Sequence, residues 1–259
     1  MSNINTAILF LCHKVNNGML ERYWKLVNET NGKYDIYWVF QSDNGISDDF
    51  LINNDVNVYR FSLASLNELY YIPLSEKLYG SEHFIMERFV HDHQEYTYYW
   101  VIEYDVIYKG NWFCFFSAFD NCDADFLSSH IEFRHESEKW PWWHLARISQ
   151  KCNISSDDFI KSFNPIYRIS FKAADYLDSF LQKDNYGFYE IIMSTALFYG
   201  GFKLCDIGGR GSFVPEGCED AHYVDSPGIN NGTMRFRPEF SIKEIMNSNL
   251  KNKLFHPLK

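Results

Sequence analysis

Tyr98-Tyr99-Trp100-Val101-Ile102-Glu103-Tyr104-Asp105-Val106 is the stretch from which the fold is read. Five β-branched or aromatic residues run into two carboxylates with no Gly or Pro between them. A run this apolar predicts a central strand buried on both faces, since only such a strand needs apolar side chains in both directions. Glu103 and Asp105 lie two apart at its C-terminal end, where an extended backbone points both side chains to one face. In open α/β sheets, ligands sit in the crevice outside the carboxyl ends of the strands. An acidic pair at that place suits a metal-diphosphate or a sugar-hydroxyl site. Solvated acids at the start of a loop are the competing reading.

The preceding sequence supplies neighbours for this strand. Residues 6–12 are apolar throughout and predict a first buried strand, ending in the polar loop His13-Lys14-Val15-Asn16-Asn17-Gly18. Leu20, Tyr23, Trp24 and Val27 keep the i, i+3, i+4, i+7 spacing of a one-faced helix, with Gly32 placed to cap its C-terminus. Residues 34–40 predict a second strand, which ends at Gln41-Ser42-Asp43-Asn44-Gly45. Strand, helix and strand in this order form a βαβ unit and predict a parallel sheet. Residues 56–61 add a short third strand, and residues 84–94 a helix.

Beyond Asp105 the pattern predicts helices over 112–119 and 172–181 and strands over 124–131, 164–170 and 202–207. The fold class is therefore α/β, a mostly parallel central sheet flanked by helices. Two further segments stand out. In Trp140-Pro141-Trp142-Trp143, set among charges, the three indoles read as aromatic faces presented by a loop, with one or two pinned against the domain as the alternative. In Tyr186–Gly201 the apolar spacing of Tyr189, Ile192, Met193 and Ala196 predicts a helix with Glu190 in its first turn, at the positive end of the helix dipole. A first-turn Glu that merely stabilises its helix is the bland alternative. From Gly208 onward the chain is Gly-rich and polar with little periodicity.

At 259 residues the chain suits one large α/β domain and is long enough to bury about 70–75% of its unfolded surface. Its net charge of −10 argues against a nucleic-acid binder, for want of a basic stripe. An aromatic content of 19% is above the ordinary and fits a heavily aromatic core, while flat rings in loops are also how proteins grip sugars. The six Cys show no CxxC spacing, so neither a zinc site nor a disulfide framework is indicated. The first residues lack a signal sequence and no apolar run approaches 18 residues, which predicts a cytoplasmic protein with no transmembrane segment.

In their order along the chain these landmarks resemble the GT-A glycosyltransferases, of the bacterial polysaccharide-biosynthesis kind, which use a nucleotide-diphospho-sugar. Glu103-Tyr104-Asp105 is similar to the family's acidic DxD motif, with Glu in place of the first Asp. The resemblance gives Asp105 the contact to a metal on the diphosphate and turns Glu103 to the ribose or donor sugar. It makes Glu190 the general base of an inverting transfer. The closing His256-Pro257-Leu258-Lys259 resembles the ends of some bacterial members. The implied organisation is a single domain over 1–259, with a nucleotide-sugar-binding half (1–110) and an acceptor-binding half and C-terminal tail (111–259). The implied partners are a nucleotide-diphospho-sugar, a UDP-sugar foremost, and a saccharide acceptor.

The chemistry asks for these residue types in its own right. Negative charge developing on a leaving diphosphate needs a metal held by carboxylate, or Arg and Lys. An acceptor hydroxyl must lose a proton, which needs a placed carboxylate. A divalent cation, Mn²⁺ or Mg²⁺, therefore belongs with Asp105, with His222 and His256 as further candidate ligands. A metal-independent route through Arg235, Arg237 and Lys259 stays open. Cys12, His13 and Asp43, at the ends of the first two strands, are candidate nucleotide contacts, and Trp140, Trp142 and Trp143 candidate acceptor contacts. Two rival functions remain. A nucleotidyltransferase would carry a Gly-rich basic loop after the first strand, where residues 12–18 hold one Gly and one Lys. A non-catalytic carbohydrate-binding protein of the same fold would not need Glu103, Asp105 and Glu190 together.

Overall fold

The computed structural model describes residues 6–76, 78–226 and 232–259. Its strands are β1 (Thr6–Leu11), β2 (Asp35–Gln41), β3 (Val58–Phe61), β4 (Tyr98–Glu103), β5 (Ile107–Lys109), β6 (Phe126–Phe133), β7 (Ala146–Arg147), β8 (Ile160–Ser170), β9 (Tyr186–Gly187), β10 (Leu204–Asp206) and β11 (Lys253–Phe255). Its helices are α1 (Asn17–Thr30), α2 (Asp49–Ile52), α3 (Leu63–Asn67), α4 (His83–Asp92), α5 (Trp112–Ser117), α6 (Phe171–Leu181), α7 (Tyr189–Tyr199) and α8 (Ile242–Asn247).

Seven strands form the central sheet in the order β10-β6-β8-β4-β1-β2-β3. Within it only β8 runs against its neighbours, β4 and β6. The β4 strand shows why the sheet is buried on both sides. Tyr99 and Val101 pack into one apolar layer with α4, α6 and α7, while Trp100 and Ile102 pack into the other with α1 and α5. Trp100 is 2% exposed, and burying a side chain of this kind contributes upward of about 2 kcal/mol.

From β1 the chain moves to β2 and β3 on one side, then returns to β4 on the other. The β1/β4 boundary is therefore the topological switch point, the place where an open α/β sheet leaves a crevice. The two strands end level. Leu11 pairs with Glu103, and the Tyr104 N–H donates to the Leu11 carbonyl at 3.0 Å. Cys12 and His13 thus come to lie beside Tyr104 and Asp105.

Several expectations need correction. The left-handed cap of α1 is Asn31 (φ 49°), its N–H bonded to the Val27 carbonyl, and Gly32 follows it. Asn tolerates that conformation, so the glycine is not the cap. β8 starts at Ile160, before the expected 164, and its pairing with β6 shifts register on the way. Pro165 sits in the shifted part and has no N–H to give to a ladder. The stretch beyond Gly208, with its weak periodicity, carries two short elements. α8 forms there behind a Ser241/Glu244 capping box, and β11 pairs antiparallel with β5, Phe255 opposite Ile107. Finally, Trp140 (7% exposed) and Trp143 (5%) pack into the core, the alternative of two pinned indoles, and Trp140 also borders the cleft described below.

Candidate functional site

The β11–β5 pairing brings the end of the chain back over the acidic turn. With Phe255 opposite Ile107, His256 falls level with Val106, and the Leu258 N–H donates to the Asp105 carbonyl at 2.9 Å. His256 Nδ1 lies 2.9 Å from the Arg235 carbonyl. A carbonyl can only accept, so Nδ1 carries the proton and Nε2 keeps its lone pair. That bare nitrogen faces Asp105 Oδ1 at 3.6 Å and Glu103 Oε2 at 3.8 Å. Burial pushes the imidazole below its ordinary value, which favours this neutral form.

Asp105 Oδ1 is itself buried without a hydrogen-bond partner. Burial, followed by the facing carboxylates of Asp105, Glu82 and Glu190, raises Glu103 well above the carboxylate range. One bare imidazole nitrogen and two carboxyl groups converge within 4.8 Å, where burial keeps a proton on Glu103 that a cation would displace. The donor set of one nitrogen and two oxygens suits Mn²⁺ or Mg²⁺ better than a thiolate metal. The Nδ1 hydrogen bond is the kind of outer contact that orients a metal-binding histidine.

The trio opens on a cleft of about 990 Å³ above the ends of β4, β6 and β8. Glu190, the second residue of α7, lines it and is 6% exposed. Its Oε1 accepts the Asn164 N–H at 3.4 Å, next to Pro165 at the register shift. The dipole of α7 by itself favours the ionised carboxylate here. Burial outweighs the dipole and pushes Glu190 up to about 8, with Lys161 and the Asn164 N–H opposing and Glu82 reinforcing the shift. Glu82, at the N-cap of α4, lines the same cleft and is raised by burial. Lys161 reaches Glu132 Oε2 at 3.0 Å across the β6–β8 pair.

The cleft gathers Glu103, Asp105, His256, Glu190, Trp140, Trp142, Arg235 and Arg237 from the residues expected of the site. Arg235 bonds the Pro238 carbonyl and lies 3.7 Å from the Phe240 ring, and Arg237 pairs with Glu239 at 2.6 Å. Trp143 stays behind the wall, its Nε1–H on the Ser137 carbonyl. Cys12 and His13 sit at the switch point beside the cleft; Cys12 gives its thiol hydrogen to the Lys14 carbonyl, and burial pushes it up to about 12. Asp43 uses both oxygens locally, on Gln41 and on the Leu63 N–H at the start of α3. His222 is not with the trio: it packs between Phe115 and Phe119, where burial lowers it to about 4. Lys259 is exposed, its N–H held by the Phe240 carbonyl. The sequence reading passed over Glu82, His130, Glu132, Lys161 and Asp225, which also line the cleft. They sit on strands, turns and a short cap, and no spacing pattern marks them.

A sequence family described as a protein of unknown function (DUF3405) matches residues 58–125, which include Glu103 and Asp105. The sequence has no significant match among curated proteins. Solved structures with a similar course of chain include the galactosyltransferase LgtC in complex with donor and acceptor sugar analogues (12% identity, TM-score 0.42, 77% of this chain and 72% of that one). The inositol-1-phosphate CTP transferase from T. maritima is similar at 10% identity and TM-score 0.44, over 82% of this chain and 91% of that one. A putative glucose-1-phosphate thymidylyltransferase from Bacillus anthracis, in complex with a sucrose, gives 13% and 0.46, over 80% and 87%. At such identities and scores the likeness is to a fold and not to an activity. Among the described residues no helix is long and apolar enough to cross a membrane.

Proposed function

We propose that this chain is a metal-assisted glycosyltransferase that moves a sugar from a nucleotide-diphospho-sugar to a saccharide hydroxyl with inversion. The observation that carries the reading is the bare Nε2 of His256 aimed at Glu103 and Asp105 beside the switch point of the sheet. Glu103, Asp105 and His256 would hold the cation, and a divalent ion there supplies positive charge for the leaving diphosphate. Arg235 and Arg237, on the same cleft, add charge at its rim. Cys12 and His13 border the crevice on the nucleotide side, which suits a division into a nucleotide half (1–110) and an acceptor half (111–259). Trp140 and Trp142 offer ring faces to the acceptor.

In the transfer, the bond from the anomeric carbon to the diphosphate oxygen breaks as the acceptor oxygen bonds to that carbon. The acceptor's proton goes to Glu190. Its second oxygen, Oε2, makes no hydrogen bond among the described residues, while the Asn164 N–H holds Oε1 and the residue lines the cleft. Glu190 works as a base only when ionised, so its raised value makes turnover climb with pH towards 8. The test is a panel of nucleotide-sugars with Mn²⁺, followed for release of the nucleoside diphosphate, because most transferases leak slowly to water. A protein that neither binds a nucleoside diphosphate nor releases one from any donor is not this enzyme.

A further inference from the structure

The cleft has an aromatic wall and an acidic floor, and a neutral sugar needs only the first. Trp140 and Trp142 stand edge to face at 5.3 Å, Phe236 lies 5.4 Å from Trp142, and Phe188 lies 5.9 Å from Trp140. Below them Glu82 and Glu190 reach the same space from the starts of two different helices. Each has an oxygen to spare. Glu82 Oε2 is buried without a partner, and Glu190, 6% exposed, uses only Oε1. Buried acceptors left open cost free energy until a donor arrives, and one that also carries positive charge favours the ionised carboxylates that burial alone disfavours.

The chain already seats an ammonium in this manner. Lys161 Nζ is 3.0 Å from Glu132 Oε2 and 5.9 Å from the Trp140 ring, both in the cleft wall. We infer that the acceptor is a cationic saccharide, whose ammonium group sits between the Trp140/Trp142/Phe188/Phe236 wall and the carboxyls of Glu82 and Glu190. Aromatic faces attract cations through the ring quadrupole, and the attraction grows where water is excluded. A cation next to Glu190 also favours its ionised form, so such an acceptor helps prepare its own base. Naming the ligand an acceptor rests on the transferase reading; its charge does not.

The experiment therefore measures binding. The methyl glycosides of glucosamine, of its N-trimethyl derivative and of N-acetylglucosamine are titrated into the full chain with Mn²⁺ present, read by tryptophan fluorescence and calorimetry. The trimethyl sugar keeps its charge at every pH and donates no hydrogen bond from that group. The expected result is that both cationic sugars bind about tenfold more tightly than the N-acetyl one, the size of a well-desolvated cation–π and charge contact. Glu82→Gln should bring this preference to within about twofold of parity, and Trp142→Leu, a second variant away from the acids, should weaken the trimethyl sugar most. Equal or tighter binding of the N-acetyl sugar, or binding of none of the three, overturns the inference. Release of nucleoside diphosphate from a donor, followed separately, would still support the transferase reading in that case.

Discussion

Replacing Glu190 with Gln should stabilise the protein while disabling it. Glu190 is raised from an ordinary value of 4.5 to about 8 by burial. Between those values the folded state holds a proton that the unfolded state has released. Stability is therefore unaffected below about pH 4.5, falls as pH rises, and has lost the full amount above about pH 8. The gap of about 3.5 units corresponds to a ceiling of about 5 kcal/mol. Water in the cleft that Glu190 lines reduces it, so a gain of about 1–3 kcal/mol is expected for Glu190→Gln at alkaline pH, or roughly 2–10 °C in Tm. Gln keeps the shape and the Asn164 contact and carries no charge to desolvate. Denaturation of both proteins in metal-free buffer, near pH 5 and near pH 8.5, should show the difference opening with pH. In the same variant transfer should drop by about 10²–10⁴-fold, the usual worth of a general base. A stability difference that ignores pH, or a Gln variant that is weaker at high pH, would refute the burial argument. Near-normal turnover would leave Glu190 as a helix residue.

Asp105→Asn should cut turnover by orders of magnitude and leave Tm near that of the wild type, because the lost Oδ1 charge has no protein partner; retained activity removes Asp105 from the mechanism. Mn²⁺ at a hundredfold above its Kd should stabilise the chain by about 2.7 kcal/mol, and His256→Ala should weaken this binding at least tenfold, checked by thermal shift and calorimetry. Chelation should abolish transfer and Mn²⁺ should restore it; full activity in chelator would move the leaving-group role to Arg235 and Arg237. Trp142→Ala should raise the acceptor KM more than the donor KM, whereas Trp143→Ala should cost about 3–5 kcal/mol of stability and leave the KM ratio alone. The product, read by NMR, should have the inverted anomeric configuration; retention would exclude Glu190 as base.

The sequence by itself determined the fold class and the acidic half of the candidate site. Runs such as 6–12 and 98–102 are apolar on both faces, a requirement that local order alone can express, and the carboxylates that follow the second run lie two apart in the chain. Glu103 and Asp105 could therefore be read directly, with His222 and His256 left as equal candidates beside them. Which histidine joins them depended on a pairing between residues some 150 positions apart, β11 on β5, and this separated His256 from His222. The three indoles of Trp140, Trp142 and Trp143 look alike in sequence; only tertiary packing sets Trp140 and Trp142 against Phe188 in the cleft wall and turns Trp143 inward, its Nε1–H on the Ser137 carbonyl. Glu190 shows the same division. Its place in the first turn is local and legible, but its proton affinity is set by how much water and how many other carboxylates surround it. Burial is a property of the assembled chain, and it reversed what the helix dipole by itself would have done.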